Sequence, residues 1–476
     1  MADGVAVRYG TAQGRWVIVA AVLGSGVVFL DGTVVNVALP ALSRDLDASV
    51  RGLQWILDSY LVTLSALLLL GGSAGDRYGR RSMFIAGLGG FVIASVLCGL
   101  APGVGFLIVA RALQGVAGAL LVPASLSIIS SVFDGDDRGR AIGAWSGLAA
   151  VAGAAGPLLG GWLVDAGSWR LIFYLNVPVA AAAVAIALRH VPETSDDEAG
   201  PLDVTGAALV SAGIALVAYG LIEHSGPTGL TGAATLVAFL AVEARRRHPM
   251  LPLSLFASGQ FSGANLTTVA VYGAMSAALF LITLRLQVTL GYSALEAGAS
   301  MLPFTGLMLA LSAGVGSLAQ RIGPRLPMTV GPLLSAGGLL LFAPIGPGDR
   351  YVTAVLPAVA LFGLGMTVTV SPLTAAVLGA VDRRRAGVAS AVNNVAARLA
   401  GLLGIAVIPA VAGIDTGEGL AGSLDTSYPS ALRISAALCA MGAALAWRFV
   451  RTPAPVRSVT HPDPQHACHD ACVEAA

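Results

Sequence analysis

Fourteen stretches of about 20 mostly apolar residues recur along this chain, and that is the length a helix needs to cross the hydrocarbon core of a bilayer. They fall at roughly 16-40, 52-72, 82-100, 104-130, 141-164, 171-188, 204-222, 228-244, 258-283, 297-319, 326-345, 351-377, 387-411 and 431-450. Lipid offers no partner to a backbone N–H or C=O, so segments of this kind must close their own hydrogen bonds as helices. The expected fold is therefore an all-α membrane protein with 14 transmembrane helices. Charged residues make up 11% of the 476, against about 25% in soluble domains, too few to build an ordinary water-facing surface. The 60 glycines suit helices that approach one another closely.

Arginine gives the orientation, because loops on the cytoplasmic side collect positive charge. With both termini inside, nineteen Arg fall on the cytoplasmic side and six on the outer side, while Arg111 and Arg398 lie within apolar segments. That bias predicts a multi-pass protein of the cytoplasmic (inner) membrane with an even helix count. The apolar run from Trp16 to Leu39 lacks a small-residue cleavage site, so the first helix is expected to stay in the mature protein. A net charge of +1 and scattered Arg clusters give no nucleic-acid face, and four cysteines spread between apolar segments and tail form no disulfide framework.

The chain also repeats itself. GSAGDRYGRR (Gly72 to Arg81) follows the second apolar segment, and GSLAQRIGPR (Gly316 to Arg325) follows the tenth, with Gly, Ser, Arg, Gly and Arg in register. Both turns follow the second helix of a six-helix block if two helices are inserted between blocks. The expected organisation is a cytoplasmic N-terminus (1-15), a six-helix bundle (16-190), two inserted transmembrane helices (204-244), a second six-helix bundle (258-450) and a disordered cytoplasmic tail (451-476). Repeated halves facing a central site are how many secondary transporters are built.

Asp31 interrupts an uncharged stretch from Trp16 to Ser43, Asp58 another, and Arg111 is the sole charge between Ser82 and Phe133. A charge at the bilayer centre costs at least about 2.5 kcal/mol, so such residues face the bundle interior and mark pathways. Counted at 1.5 Å per residue, Asp31 lies about 14 Å deep, Asp58 about 9 Å and Arg111 about 10 Å from the outer helix ends. All three are thus expected in one layer of the first bundle as a proton-coupling group. The alternative for Asp31 and Asp58 is a structural role, fixing helix packing by hydrogen bonds.

At these residues the chain resembles the major facilitator superfamily, and within it the fourteen-helix drug:H⁺ antiporter family, including actinobacterial antibiotic-resistance exporters. LDGTVVNVALP (Leu30 to Pro40) is similar to the family's first-helix motif, and Gly72 to Arg81 to its G-x-x-x-D-R-x-G-R-R loop. RALQGVAGA (Arg111 to Ala119) and GAAGPLLGG (Gly153 to Gly161) resemble its fourth- and fifth-helix motifs. The resemblance implies that Gly72, Asp76, Arg77, Gly79 and Arg80 form a conformational latch between halves, although the arginines also read as plain topology charges. Gly153, Gly156, Gly160 and Gly161 make a small-residue face with a kink at Pro157, for which close packing alone is the other account.

Candidates for the substrate cavity are Asn36, Tyr60, Gln114, Asn265, Tyr272, Asn393, Asn394 and Arg398, each of which also reads as a bond to a neighbouring helix. Relatives in the family it resembles place an acid within the tenth helix, whereas here no acid follows Glu296 in that segment, a departure that disfavours divalent cations and leaves monovalent or neutral substrates. His461, His466, Cys468, His469 and Cys472 cluster in the tail; they read as a zinc site or, more simply, as part of a disordered segment, and no metal site is assigned. The chain shows no enzyme motif. The expectation is a proton-coupled antiporter that exports small lipophilic drugs, works as a monomer in the lipid bilayer and takes its energy from the proton gradient without a cofactor. A proton-coupled metabolite importer and a non-transporting receptor or regulator on the same scaffold are the alternatives.

Overall fold

A computed structural model of the chain describes residues 7–196, 202–246, 249, 251–381, 386–414 and 420–451, and those residues form helices and turns with no strand. The first block comprises α1 (Ala12–Leu46), α2 (Val50–Tyr78), α3 (Arg80–Gly99), α4 (Val104–Val132), α5 (Gly135–Ala166) and a broken sixth helix, α6 (Leu171–Tyr174) with α7 (Asn176–His190). A hairpin of α8 (Val204–Ile222) and α9 (Gly226–Glu243) follows. The second block is α10 (Gly259–Leu284), the broken pair α11 (Ala294–Ser300) and α12 (Leu302–Ile322), α13 (Arg325–Phe342), α14 (Leu356–Gly379), α15 (Ala386–Ala412) and α16 (Leu420–Phe449). Side-chain oxygens of Thr11, Ser49, Asp203 and Ser258 accept the free N–H groups at the starts of α1, α2, α8 and α10, so the polar residue ahead of each apolar run sets where its helix begins.

Among the described residues twelve helices or joined pairs are long and apolar enough to cross a bilayer, and α2, bent by 51° between Leu68 and Leu70, makes thirteen. The expected fourteenth is α9. It pairs with α8, but Gly and Thr crowd its first half, and although its 18 residues match α13 in length it is not apolar enough to count as a membrane span. Apolar side chains such as Ile93, Leu230 and Val411 stand exposed on the outside of the bundles, as a lipid-facing surface requires. The protein is a multi-pass membrane protein.

The two blocks pack by one plan. In each, the first helix lies against the fifth and sixth, and the third lies against the fourth (α1 on α5 and α7, α3 on α4; α10 on α15 and α16, α13 on α14). The repeated turns share a backbone feature as well. Gly79 and Gly323, in register in the repeat, both have positive φ (101° and 85°), a conformation that costs glycine little.

The end of the molecule carrying Arg77, Arg80, Arg81, Arg138 and Arg189 is here the arginine-rich end, and the opposite one the far end. Among the described residues four side-chain hydrogen bonds join the bundles, all toward the far end. Gln54 Nε2 donates to the Ile405 carbonyl (2.8 Å) and Gln287 Nε2 to the Val37 carbonyl (2.9 Å). Asp165, at the end of α5, accepts from Ala294 N (3.2 Å) and Leu295 N (2.8 Å), capping α11 across the interface. Gly161 and Gly298 let α5 and α11 touch backbone to backbone; a Cβ on either would collide with the other helix. On the flank, α8 packs against both α2 and α15, with Ile214 and Ala218 meeting Val62, Ala66 and Leu402.

Gly298→Leu should therefore prise α5 from α11 and open the far end. In a cysteine-free background, a cysteine at Asn36 should react with an impermeant maleimide from that side several-fold faster; an unchanged rate would show that this contact does not hold the closure.

Candidate functional site

Asp31 sits on the face of α1 that meets α4, with no exposed surface. Its Oδ2 pairs with the Arg111 guanidinium. Its Oδ1 accepts from Gln114 Nε2 (2.9 Å) and Asn176 Nδ2 (3.1 Å), and both amides also donate to Ser95 Oγ (2.9 and 3.2 Å). Arg111 spends its Nε on the Ile56 carbonyl (3.1 Å) and shares Nη1 with Gln114 Oε1 (2.6 Å). The guanidinium lies 4.2 Å from the centre of the Tyr60 ring, whose hydroxyl donates to the Val28 carbonyl (3.2 Å). Five helices, α1, α2, α3, α4 and α7, thus contribute to one buried charge network. Its geometry answers a desolvation cost of several kcal/mol per ion with charge-assisted hydrogen bonds to both members of the pair, and leaves Asn176 Oδ1 without a partner among the described residues.

Asp58 does not join this network, a correction to the single layer expected from depth alone. On α2, Ile56, Tyr60 and Thr63 face α4, whereas Asp58 lies between Gln54 and Val62 on the face toward α15 and α8. It is fully buried and neither carboxyl oxygen has a hydrogen-bond partner among the described residues. Rise along a helix gives depth, but the partner helix decides which direction a side chain faces.

Between the bundles lies a cavity of about 280 Å³. Thr33, Asn36 and Val37 of α1 and Gly153 and Pro157 of α5 line one wall; Tyr272, Met275, Leu279, Thr283, Met301, Phe304, Thr305, Met308 and Met366 line the other. Of the expected cavity residues, Asn36 and Tyr272 line it. Gln114 and Tyr60 do not, since both are drawn into the charge network. Asn265 and Asn393 bond one another (3.1 Å) and tie α10 to α15, with Thr268 accepting a second bond from Asn393 (2.7 Å). Asn394 is exposed and donates to the Ser390 carbonyl (3.1 Å), and Arg398 is half-buried on α15, where Tyr60 is its electrostatic neighbour.

The turn after α2 is bound within its own half. Asp76 pairs with Arg80 (2.8 Å), the Arg80 N–H donates to the Thr194 carbonyl (2.9 Å), and the Glu193 carboxylate accepts from Arg81 N (3.0 Å) and Ser82 N (3.1 Å) at the start of α3. Gly79 leaves the room Glu193 needs, Gly72 packs on Pro123, and the Arg77 guanidinium lies 5.8 Å from the Tyr78 ring. Gly156 and Gly160 press against Thr33 and Val34 of α1, and Thr33 Oγ1 donates to the Gly153 carbonyl (2.9 Å). Sequence reasoning missed Ser95, Asn176, Glu193, Asp165 and the methionines. Asn176 opens α7 after the helix break and was the most visible of these; the methionines read as ordinary apolar filling. The His and Cys residues of the tail lie outside the described residues.

Two like-built helical bundles, a cavity between them and a buried ion pair in one define a membrane transport protein of the secondary-transporter type. The chain belongs to the Major Facilitator Superfamily, whose family model matches residues 21–405. It is 35% identical to the puromycin resistance protein pur8 of Streptomyces alboniger over 91% of each chain. It is 32% identical to the multidrug resistance protein Stp of Mycobacterium tuberculosis, over 83% of this chain and 75% of that one. With the methylenomycin A resistance protein of Streptomyces coelicolor it shares 33% identity over 93% and 94%. The fold matches a crystal structure of a D-xylose–proton symporter at a TM-score of 0.66 and 15% identity, covering 92% of this chain and 98% of the other.

Truncating one partner of the ion pair strands the other. Arg111→Leu should lower stability by about 3–5 kcal/mol, and adding Asp31→Asn should restore a large part of it, read as thermal unfolding of detergent-purified protein. Equal losses that add in the double variant would mean the pair is not coupled.

Proposed function

We propose that the chain is a proton-coupled antiporter that exports small lipophilic drugs or antibiotics across the cytoplasmic membrane. The observation that carries this reading is the Asp31 carboxylate, sealed in the first bundle one helix face away from an apolar cavity. The relatives, named for resistance to puromycin, methylenomycin and multiple drugs, support export as the direction. In this reading both termini and the arginine-rich end face the cytoplasm, the protein works as a monomer, and the far-end bonds keep the cavity closed to the outside.

A proton reaching Asp31 removes the negative member of the ion pair. Arg111 then holds Gln114 and the Ile56 carbonyl without a counter-charge, and the cheapest repair is a shift of α1 against α4. Because α1 also forms the cavity wall at Thr33, Asn36 and Val37, that shift changes the substrate's surroundings. The turn at Asp76 and Arg77 acts as a latch toward the second half in the opposite conformation.

Asp31→Asn keeps the size of the side chain and an oxygen to accept hydrogen bonds but removes the titrating group. Uptake of a lipophilic dye into inverted vesicles, the direction that corresponds to export from the cell, should fall at least about tenfold, and substrate-induced proton release from purified protein should disappear. Asp58→Asn should reduce both less. Export by the unaltered protein that persists after a protonophore collapses the gradient would rule the mechanism out.

A further inference from the structure

Among the described residues that line the central cavity there is no Asp, Glu, Arg, Lys or His. The acids of the first bundle are present nearby but face elsewhere: Asp31 is spent on Arg111, Gln114 and Asn176, and Asp58 lies on the α15 side of α2, both without exposed surface. An ionic group entering the cavity would lose its water and meet no counter-charge, which is costly at membrane depth.

What the cavity offers instead is neutral. Four thioethers, from Met275, Met301, Met308 and Met366, surround it together with the ring of Phe304, which is stacked on Phe362 at 5.4 Å. Thioethers are polarisable and make favourable contacts with ring edges. Of its polar groups, Thr33 and Thr283 donate to backbone carbonyls. The hydroxyls of Tyr272 and Thr305 form no hydrogen bond among the described residues, and the Asn36 amide has only a long contact to its own helix (3.4 Å). Two hydroxyls and the Asn36 side-chain oxygen are therefore available to a guest in an apolar, sulfur-lined space.

We propose that this cavity takes an uncharged aromatic molecule carrying a hydrogen-bonding group at its edge, and that it binds without contact with Asp31. The proposal rests on the export reading and narrows its substrate class. Substrate and proton then occupy separate compartments on two faces of α1, so exchange is coupled through movement of that helix and not by competition for one carboxylate.

The test compares two ligands of nearly equal shape: acridine, uncharged in mildly alkaline buffer, and N-methylacridinium, a permanent cation. Binding to purified protein, followed by fluorescence without any gradient, should favour acridine by at least about tenfold, the ratio expected when an unpaired charge costs about 1.4 kcal/mol or more. Thr305→Asp, which puts a carboxylate into the cavity, should reverse the order. Equal binding, preference for the cation or binding of neither by the unaltered protein would overturn the proposal. Uptake of acridine into inverted vesicles with and without a protonophore separates this from the wider reading. Selective binding with gradient-independent uptake leaves the substrate class standing and removes proton coupling, whereas gradient-dependent uptake of both ligands alike does the reverse.

Discussion

A carboxylate inside a bilayer-spanning bundle has to be answered by the protein itself, because no water arrives to do it. Asp31 is answered from α4 and α7 directly, with α3 bracing the amides through Ser95 and α2 bracing the arginine through Ile56 and Tyr60. The arrangement fixes the relative rotation of five helices. Small residues allow the helices to approach, but the charge network selects one angular setting among the many that a surface of Gly, Ala and Val would tolerate.

The two bundles share a packing plan but not a chemistry. Where the first has Asp31, Arg111, Gln114 and Asn176 converging, the second has the neutral set of Asn265, Thr268 and Asn393. The second bundle also supplies the larger share of the cavity wall, including every methionine in it. Division of labour follows: one half holds a charge that can be neutralised, and the other forms most of the surface a guest would touch.

Most of the apolar segments, the repeat and the burial of Asp31 with Arg111 were legible in the sequence because each depends on spacing along one helix. Which face a residue presents depends on two helices at once, and here the reading ran out. Asp58 and Tyr60 are two residues apart and point to different neighbours; Gln114, expected beside a substrate, is claimed by Asp31. The role of Glu193 was hidden for a related reason. It caps α3 from 112 residues away, a distance over which no local pattern operates. The α9 helix was read from its apolar second half, and its Gly- and Thr-rich start weakens the span.

The far-end closure has a property that bears on how such a protein can diverge. Gln54, Gln287 and Asp165 each bind backbone atoms of the opposite bundle, at Ile405, Val37, Ala294 and Leu295. A contact that reads the main chain is indifferent to what side chain stands there. Apart from the close contact at Gly161 and Gly298, mutations can accumulate at the receiving positions Ile405, Val37, Ala294 and Leu295 without removing the atoms these bonds use. The closure can be inherited intact while the guest it encloses changes from one lineage to the next.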